Sequence, residues 1–138
     1  MLSIEQIRPE LTWRLRREVL YPDEPLFKME MEEDNNGYHF GAFNQDKLVA
    51  VISLFKNDAD WQFRKFAVSK DMQFTGVGTK LLNHITRFVE REGGRHLWCN
   101  ARLTATAFYK KFGFSETGEV FSRNGHDYVI MQKPILSN

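Results

Sequence analysis

The stretch from Phe66 to Val89 limits what this chain can fold into more than any other. Phe66, Ala67 and Val68 end an apolar strand, and Gly76 and Gly78 follow within a short turn. Beyond the turn, apolar residues recur at positions 77, 81, 82, 85, 88 and 89, which is the spacing of an amphipathic helix. A strand that passes directly into a long helix predicts an α/β fold.

The rest of the chain predicts a mixed sheet around this unit. Six segments have the apolar patterns of strands, at residues 38–43, 48–55, 61–69, 96–100, 114–121 and 128–133. Two more helices are predicted, over about residues 10–20 and 104–112, and residues 22–37 are a turn-rich acidic loop. We therefore predict a single domain over residues 1–138 of the α/β class, with a mixed, mostly antiparallel sheet flanked by helices on both faces.

Composition excludes several classes of protein. Nineteen Lys and Arg residues against eighteen Asp and Glu residues give a net charge of +1, which argues against nucleic-acid binding through bulk charge. One cysteine, Cys99, cannot form an internal disulfide, and the four histidines lack metal-ligand spacing, so we predict no metal. The N-terminus has charges every few residues, so neither a signal peptide nor a membrane anchor is expected. A cytoplasmic protein is expected.

The turn between the strand and the long helix has two interpretations. Gly76 and Gly78 allow the backbone to approach a ligand, and the first N–H groups of the helix form a site for phosphate. A tight turn in which glycine serves only packing explains the same residues equally well. A Gly-x-Gly pair is a weak signal. No Gly-Lys-Ser/Thr sequence follows, and Leu81 stands where a dinucleotide-binding fingerprint needs glycine.

Two motifs together resemble the GNAT superfamily of acyl-CoA-dependent N-acyltransferases. The first is Gln73-x-x-Gly76-x-Gly78 after the strand, similar to the coenzyme A loop of that family. The second is Asn100 followed by Ala107-Phe108-Tyr109-Lys110-Lys111-Phe112-Gly113-Phe114. The resemblance covers about residues 38–133, and the run from Leu97 to Arg102 is similar to the small bacterial ElaA-like branch.

The resemblance implies a GNAT fold that binds acetyl-CoA. Pyrophosphate would bind to backbone N–H groups of the loop, at Phe74, Thr75, Gly76, Val77, Gly78 and Thr79, with Gln73 lining it. The pantetheine arm would pair with the strand at Phe66, Ala67 and Val68, where the family has a bulge, and the Val68 N–H would donate to the thioester carbonyl. Asn100 would contact the pantetheine or hold a water beside it, and Phe108 and Tyr109 would complete the coenzyme A contacts.

Tyr109 is the residue to which the resemblance assigns catalysis. A phenol can protonate the thiolate that leaves during acyl transfer, although a core aromatic is the ordinary role of a tyrosine on a short helix. No general base is assigned. Gln62 stands where some family members have a glutamate, and an amide cannot accept the proton. Four other residues are candidates only through their positions near strand ends, namely His39, His126, Asp127 and Glu116.

These observations predict an N-acetyltransferase that moves acetyl from acetyl-CoA to a primary amine, in a small molecule or a peptide, by direct attack. The alternative is an acyl-CoA-binding sensor or interaction module without turnover. The acidic run from Lys28 to Asp34 either attracts a cationic amine or is a solvated loop. Likewise, Arg14, Arg16 and Arg17 mark either an acidic partner or a solvated helix face. A monomer or a homodimer is expected, with no nucleic-acid or membrane partner.

Overall fold

Seven strands form one sheet in the computed structural model, which describes residues 1–136. The strands are β1 (Leu2–Ile7), β2 (Tyr38–Asn44), β3 (Lys47–Asn57), β4 (Asp60–Val68), β5 (His96–Arg102), β6 (Ser115–Arg123) and β7 (His126–Pro134). The three α-helices are α1 (Trp13–Leu15), α2 (Val77–Arg91) and α3 (Thr106–Lys110). Short 3-10 helices lie at Pro9–Thr12, Leu26–Met29, Glu32–Asn36, Lys70–Met72 and Leu103–Ala105, and a π-helix at Arg16–Leu20.

The strand order across the sheet is β1-β2-β3-β4-β5-β7-β6. Strand β1 runs antiparallel to β2, β2 to β3, β5 to β7, and β6 to β7. Strands β4 and β5 are parallel, with Asp60 opposite His96 and Gln62 opposite Trp98. The predicted α/β class with a mixed, mostly antiparallel sheet is confirmed.

Strand β1 was not among the predicted elements. It pairs along its whole length with β2, from Leu2 opposite Asn44 to Ile7 opposite His39. Its sequence alternates apolar and polar residues only over Leu2-Ser3-Ile4-Glu5, which is shorter than a strand signal usually is. Backbone pairing with β2, and not its own hydrophobic pattern, makes this segment an edge strand.

The helix predicted over residues 10–20 is irregular. It consists of the 3-10 turn Pro9–Thr12, the short helix α1 and the π-helix Arg16–Leu20. The Tyr21 N–H donates to the carbonyl oxygens of both Arg16 and Arg17, at 3.2 and 3.1 Å, and this widens the last turn. The acidic loop predicted after it contains two 3-10 helices, at Leu26–Met29 and Glu32–Asn36.

Two compact units make up the chain. The first comprises Met1–Phe55 and Phe63–Phe88. Its core includes Leu15 and Val51, which are fully buried, and helix α2 packs its Phe88 ring against the Phe40 ring at 5.0 Å between centroids. Burial of such apolar side chains is the main stabilising contribution to a core of this kind.

The second unit comprises Lys56–Gln62 and the chain from Val89 onward. Trp61 is fully buried in it, and Val129 and Met131 of β7 are buried. That residues 1–138 form a single domain stays a prediction. No helix in the described part of the chain combines the length and the apolarity that crossing a bilayer requires.

Candidate active site

Strand β4 has an irregularity at Lys65, three residues before Val68. The backbone of Lys65 has a φ of +56°, in the left-handed region, and such a residue inside a strand is typical of a β-bulge. Its Nζ donates a hydrogen bond to the Tyr21 hydroxyl and lies 4.5 Å from the centre of that ring. The structure therefore has a distortion in the strand in which the sequence resemblance implies a bulge.

The loop after β4 leaves several backbone N–H groups without a helical acceptor. Phe74 and Gly76 have φ values of +65° and +90°, and a Cβ atom at Gly76 would meet nothing within 4 Å. The Lys80 N–H donates to the Gly76 carbonyl at 3.1 Å in the first turn of α2. The N–H groups of the helix's first three residues, Val77 to Thr79, therefore have no carbonyl acceptor within the helix. This arrangement fits an anionic group such as a pyrophosphate.

Side chains of the loop hold its shape. The Gln73 Nε2 donates to the Val68 carbonyl at 3.0 Å, and the Thr75 hydroxyl donates to the Met72 carbonyl at 2.5 Å. At Gly78 a Cβ atom would lie 3.3 Å from the Phe66 ring, which is closer than ordinary van der Waals contact. Glycine at this position thus lets the start of α2 approach β4.

The second motif lies in the second unit. Asn100 is in β5 opposite Ile130, and Tyr109 is half-buried on α3 with its ring 5.3 Å from that of Phe108. Burial raises the pKa of Tyr109 well above its usual value, so its hydroxyl is protonated throughout the neutral range. Burial also raises the pKa of Cys99 to about 12, so this thiol is neutral and unreactive.

A comparison with known proteins decides the family. Residues 14–135 match the family model described as "Acetyltransferase (GNAT) domain". The chain belongs to the GNAT acetyltransferase family. The superfamily that the two motifs indicated is therefore confirmed.

One curated relative of this GNAT protein and two solved structures of similar fold carry acetyltransferase names. The "Uncharacterized N-acetyltransferase YitI" of Bacillus subtilis (strain 168) is 26% identical, with 100% of this chain and 99% of that protein covered. The ribosomal-protein-S18-alanine N-acetyltransferase from Escherichia coli has a similar fold, with a TM-score of 0.82, 21% identity, and coverage of 100% and 96%. An aminoglycoside 6'-N-acetyltransferase complexed with coenzyme A gives a TM-score of 0.80 at 17% identity, with coverage of 99% and 98%.

Escherichia coli ElaA also shares the fold, with a TM-score of 0.82, 18% identity, and coverage of 96% of this chain and 99% of ElaA. A likeness at that level of identity shows the fold alone. Membership of the ElaA-like branch therefore stays a prediction.

Three of the four candidate bases of this GNAT protein have hydrogen-bond or ionic partners, and the fourth, His126, is exposed at the start of β7. His39 is buried, with both ring nitrogens hydrogen-bonded. Glu116 pairs with the Lys110 ammonium at 2.8 Å, and Asp127 accepts from the Ser122 hydroxyl. Among the described residues, no group of three or more His, Cys, Asp or Glu side chains is placed to hold a metal ion.

A buried polar network in the first unit was missed from the sequence. Arg16 donates through Nη1 and Nη2 to the two carboxylate oxygens of Asp34, at 2.9 and 3.0 Å, and its Nη2 also donates to the Ser53 hydroxyl at 3.0 Å. The Arg16 and Asp34 side chains are 1% and 4% exposed. Neither is therefore part of a solvated surface. Thr12, four residues before Arg16, is also buried, but a threonine and an arginine at this spacing do not predict burial, so the sequence carried no signal of the network.

His39 extends this network. Its Nε2–H donates to the Asp34 carbonyl at 2.8 Å, so its Nδ1 accepts from the Ser53 hydroxyl at 2.7 Å when the ring is neutral. Burial lowers the pKa of His39 and outweighs the opposite effect of that carbonyl. For Asp34, burial alone raises the pKa, but hydrogen bonds from Arg16 and the Met31 N–H outweigh it, and the pKa is lowered. The network therefore contains one ion pair and one neutral histidine.

Proposed function

We propose that this GNAT protein transfers acetyl from acetyl-CoA to a primary amine, in a small molecule or a peptide. The observation that carries the proposal is the loop from Gln73 to Thr79, with left-handed residues at Phe74 and Gly76 and, at the start of α2, N–H groups that have no acceptor within the helix. The coenzyme A complex of a protein with a similar fold supports the same donor.

Binding of the donor falls to the loop and to the end of β4. The N–H groups of Phe74, Thr75, Gly76, Val77, Gly78 and Thr79 bind the pyrophosphate, with Gln73 lining the loop. Acetyl-CoA supplies the acyl group as an activated thioester. The backbone of Phe66, Ala67 and Val68 pairs with the pantetheine arm, and the Val68 N–H donates to the thioester oxygen as negative charge develops there. Asn100 and Phe108 complete the contacts.

Tyr109 acts as the general acid in this proposal. A phenol holds its proton at neutral pH and can give it to the departing sulfur. Burial raises the pKa of Tyr109, which keeps the hydroxyl neutral and makes transfer depend on a direct hydrogen bond to that sulfur. Attack by the amine is direct, without an acyl-enzyme. The one cysteine of the chain supports this, because Cys99 is buried and its pKa is raised to about 12.

The amine's proton leaves through water, since Gln62 stands in β4 where some relatives have a carboxylate. Pairing takes up part of the negative charge of the acidic run from Lys28 to Asp34, whereas Glu30 and Glu32 are exposed. Within it, Asp34 is paired with Arg16 and Glu33 with Arg64, at 2.9 and 3.2 Å.

Calorimetric titration with acetyl-CoA tests the donor site, with ATP as the control ligand. Micromolar binding of acetyl-CoA is expected for the natural chain, and Gly76→Val should weaken it by about 100-fold because a side chain disturbs the loop backbone. Gly93→Val is the matched variant, since Gly93 has a φ of +81° and equally open surroundings. Absence of binding by the natural chain at millimolar acetyl-CoA would refute the proposal.

An acyl-CoA sensor without turnover is the second candidate, and Gln62 in place of a carboxylate is the observation that favours it. Release of coenzyme A from acetyl-CoA, measured with a broad panel of amines, separates the two. An amine-dependent release supports the enzyme. Tight acetyl-CoA binding without release for any amine of the panel supports the sensor.

A further inference from the structure

Phe74 combines an exposed side chain with a strained backbone, and packing within the fold explains neither. It is the most exposed phenylalanine of the described residues, with its whole side chain in solvent. Its backbone has a φ of +65°, a conformation that glycine adopts readily and a bulky residue rarely does. An exposed ring buries no surface that could offset this strain. Residues held in such conformations cluster at sites that bind ligands.

The turn that carries Phe74 is fixed on both sides. Gln73 has φ and ψ of −67° and 147°, so Gln73 and Phe74 follow the pattern of a type II turn, which favours glycine at its second central residue. Hydrogen bonds from Gln73 to Val68 and from Thr75 to Met72 hold the flanking residues. The Phe74 ring therefore projects from a defined turn, and both of its faces are open.

We propose that the Phe74 ring is a stacking platform for the adenine of the acyl-CoA donor. The inference rests on the proposed function, in which the N–H groups of this loop bind the pyrophosphate. The adenosine is joined to that pyrophosphate, so a ring on the same loop lies within reach of the base. A purine offers the flat aromatic face that a phenylalanine ring stacks on, whereas the pantetheine arm has no aromatic group.

Two acyl donors test the platform, acetyl-CoA and S-acetyl-4'-phosphopantetheine, which lacks the whole adenosine 3',5'-bisphosphate part of coenzyme A and keeps one phosphate of the pyrophosphate. Phe74→Ala removes the ring and keeps the backbone N–H, and it should weaken acetyl-CoA binding about tenfold while the affinity for S-acetyl-4'-phosphopantetheine stays the same. Phe74→Trp should retain acetyl-CoA affinity. Phe27→Ala is the matched control, because Phe27 is 75% exposed on another segment of the first unit.

A thermal unfolding midpoint for each variant separates ligand effects from misfolding. Phe74→Gly should unfold at the same temperature as the natural chain or above it, because strain is removed without loss of buried surface, and it should still bind acetyl-CoA about tenfold more weakly. An unchanged acetyl-CoA affinity in Phe74→Ala, or an equal loss for both donors, would overturn the platform and leave the proposed function standing. A natural chain that binds neither donor would instead refute the proposed function.

Discussion

Removal of the Asp34 carboxylate should destabilise the first unit more than any change to a surface charge. Asp34→Ala deletes the acceptor of three hydrogen bonds, two from Arg16 at 2.9 and 3.0 Å and one from the Met31 N–H at 2.9 Å. The guanidinium stays buried, with the Met29 carbonyl and the Ser53 hydroxyl as its remaining partners. A charge in that position has lost both its counter-ion and its access to water.

The expected loss is about 3–5 kcal/mol of the free energy of unfolding, the usual cost of leaving one member of a buried ion pair unpaired. A domain of this size has about 5–15 kcal/mol in total. The change therefore corresponds to a fall of about 10–20 °C in the unfolding midpoint.

Thermal and urea unfolding, followed by circular dichroism at pH 7, measure this loss. The matched control is Glu18→Ala, which breaks the exposed pair with Arg14, whose side chains are 47% and 49% exposed. That control should cost less than about 1 kcal/mol. If Asp34→Ala cost no more than Glu18→Ala, the claim that the pair is buried and dependent on its counter-ion would be wrong.

Three further predictions concern Tyr109, His39 and Gly94. Tyr109→Phe should lower turnover about 100-fold and leave the Kd for acetyl-CoA within about twofold, measured by thiol release and calorimetry. The lowered pKa of His39 means that stability falls as the pH drops below about 6.5, and His39→Gln should flatten this dependence in urea unfolding between pH 7.5 and 5. Gly94→Ala should cost about 1–3 kcal/mol in thermal unfolding, since its Cβ would lie 2.4 Å from Val89 and 2.7 Å from Trp61.

Each of these three predictions can be contradicted by a specific result. Equal turnover in Tyr109→Phe at neutral pH would remove tyrosine as the acid. The direction of the pH dependence at His39 follows from proton binding. Below about pH 6.5 the histidine of the unfolded chain binds a proton, whereas the folded chain, with its lowered pKa, does not. The natural chain must therefore lose stability on acidification. Identical pH profiles for the natural chain and His39→Gln would contradict this. An unfolding midpoint of Gly94→Ala equal to that of the natural chain would contradict the close contacts of Gly94 with Val89 and Trp61.

Elements with a strong pattern of their own were predictable from the sequence. Helix α2 was expected from the recurrence of Leu81, Leu82 and Ile85 on one face, and these three side chains are fully buried. The hairpin between β6 and β7 was expected from Asn124-Gly125, two residues whose φ values of +53° and +79° suit such a turn. In both cases the deciding interactions are local.

Features that depend on distant contacts were not predictable in this way. Arg16 and Asp34 are separated by 18 residues, and each resembles an ordinary surface charge until the two are brought together. Strand β1 exists through its pairing with β2. The candidate site was predictable in part. Its two motifs identify the loop and Tyr109, but the strain at Phe74 and the irregularity at Lys65 are visible only in the backbone angles.

The low reactivity of the Cys99 thiol has a consequence for assays that detect thiols. The chain has one thiol, it is 2% exposed, and its pKa is raised to about 12, so a disulfide reagent in the solution meets no reactive sulfur on the folded protein. In the assay of the proposed acetyl transfer, release of coenzyme A can therefore be followed continuously by its own thiol, without background from the protein. In a sample without substrates, the rate at which the same reagent modifies Cys99 measures how often the second unit opens, because Cys99 reacts only when β5 is exposed.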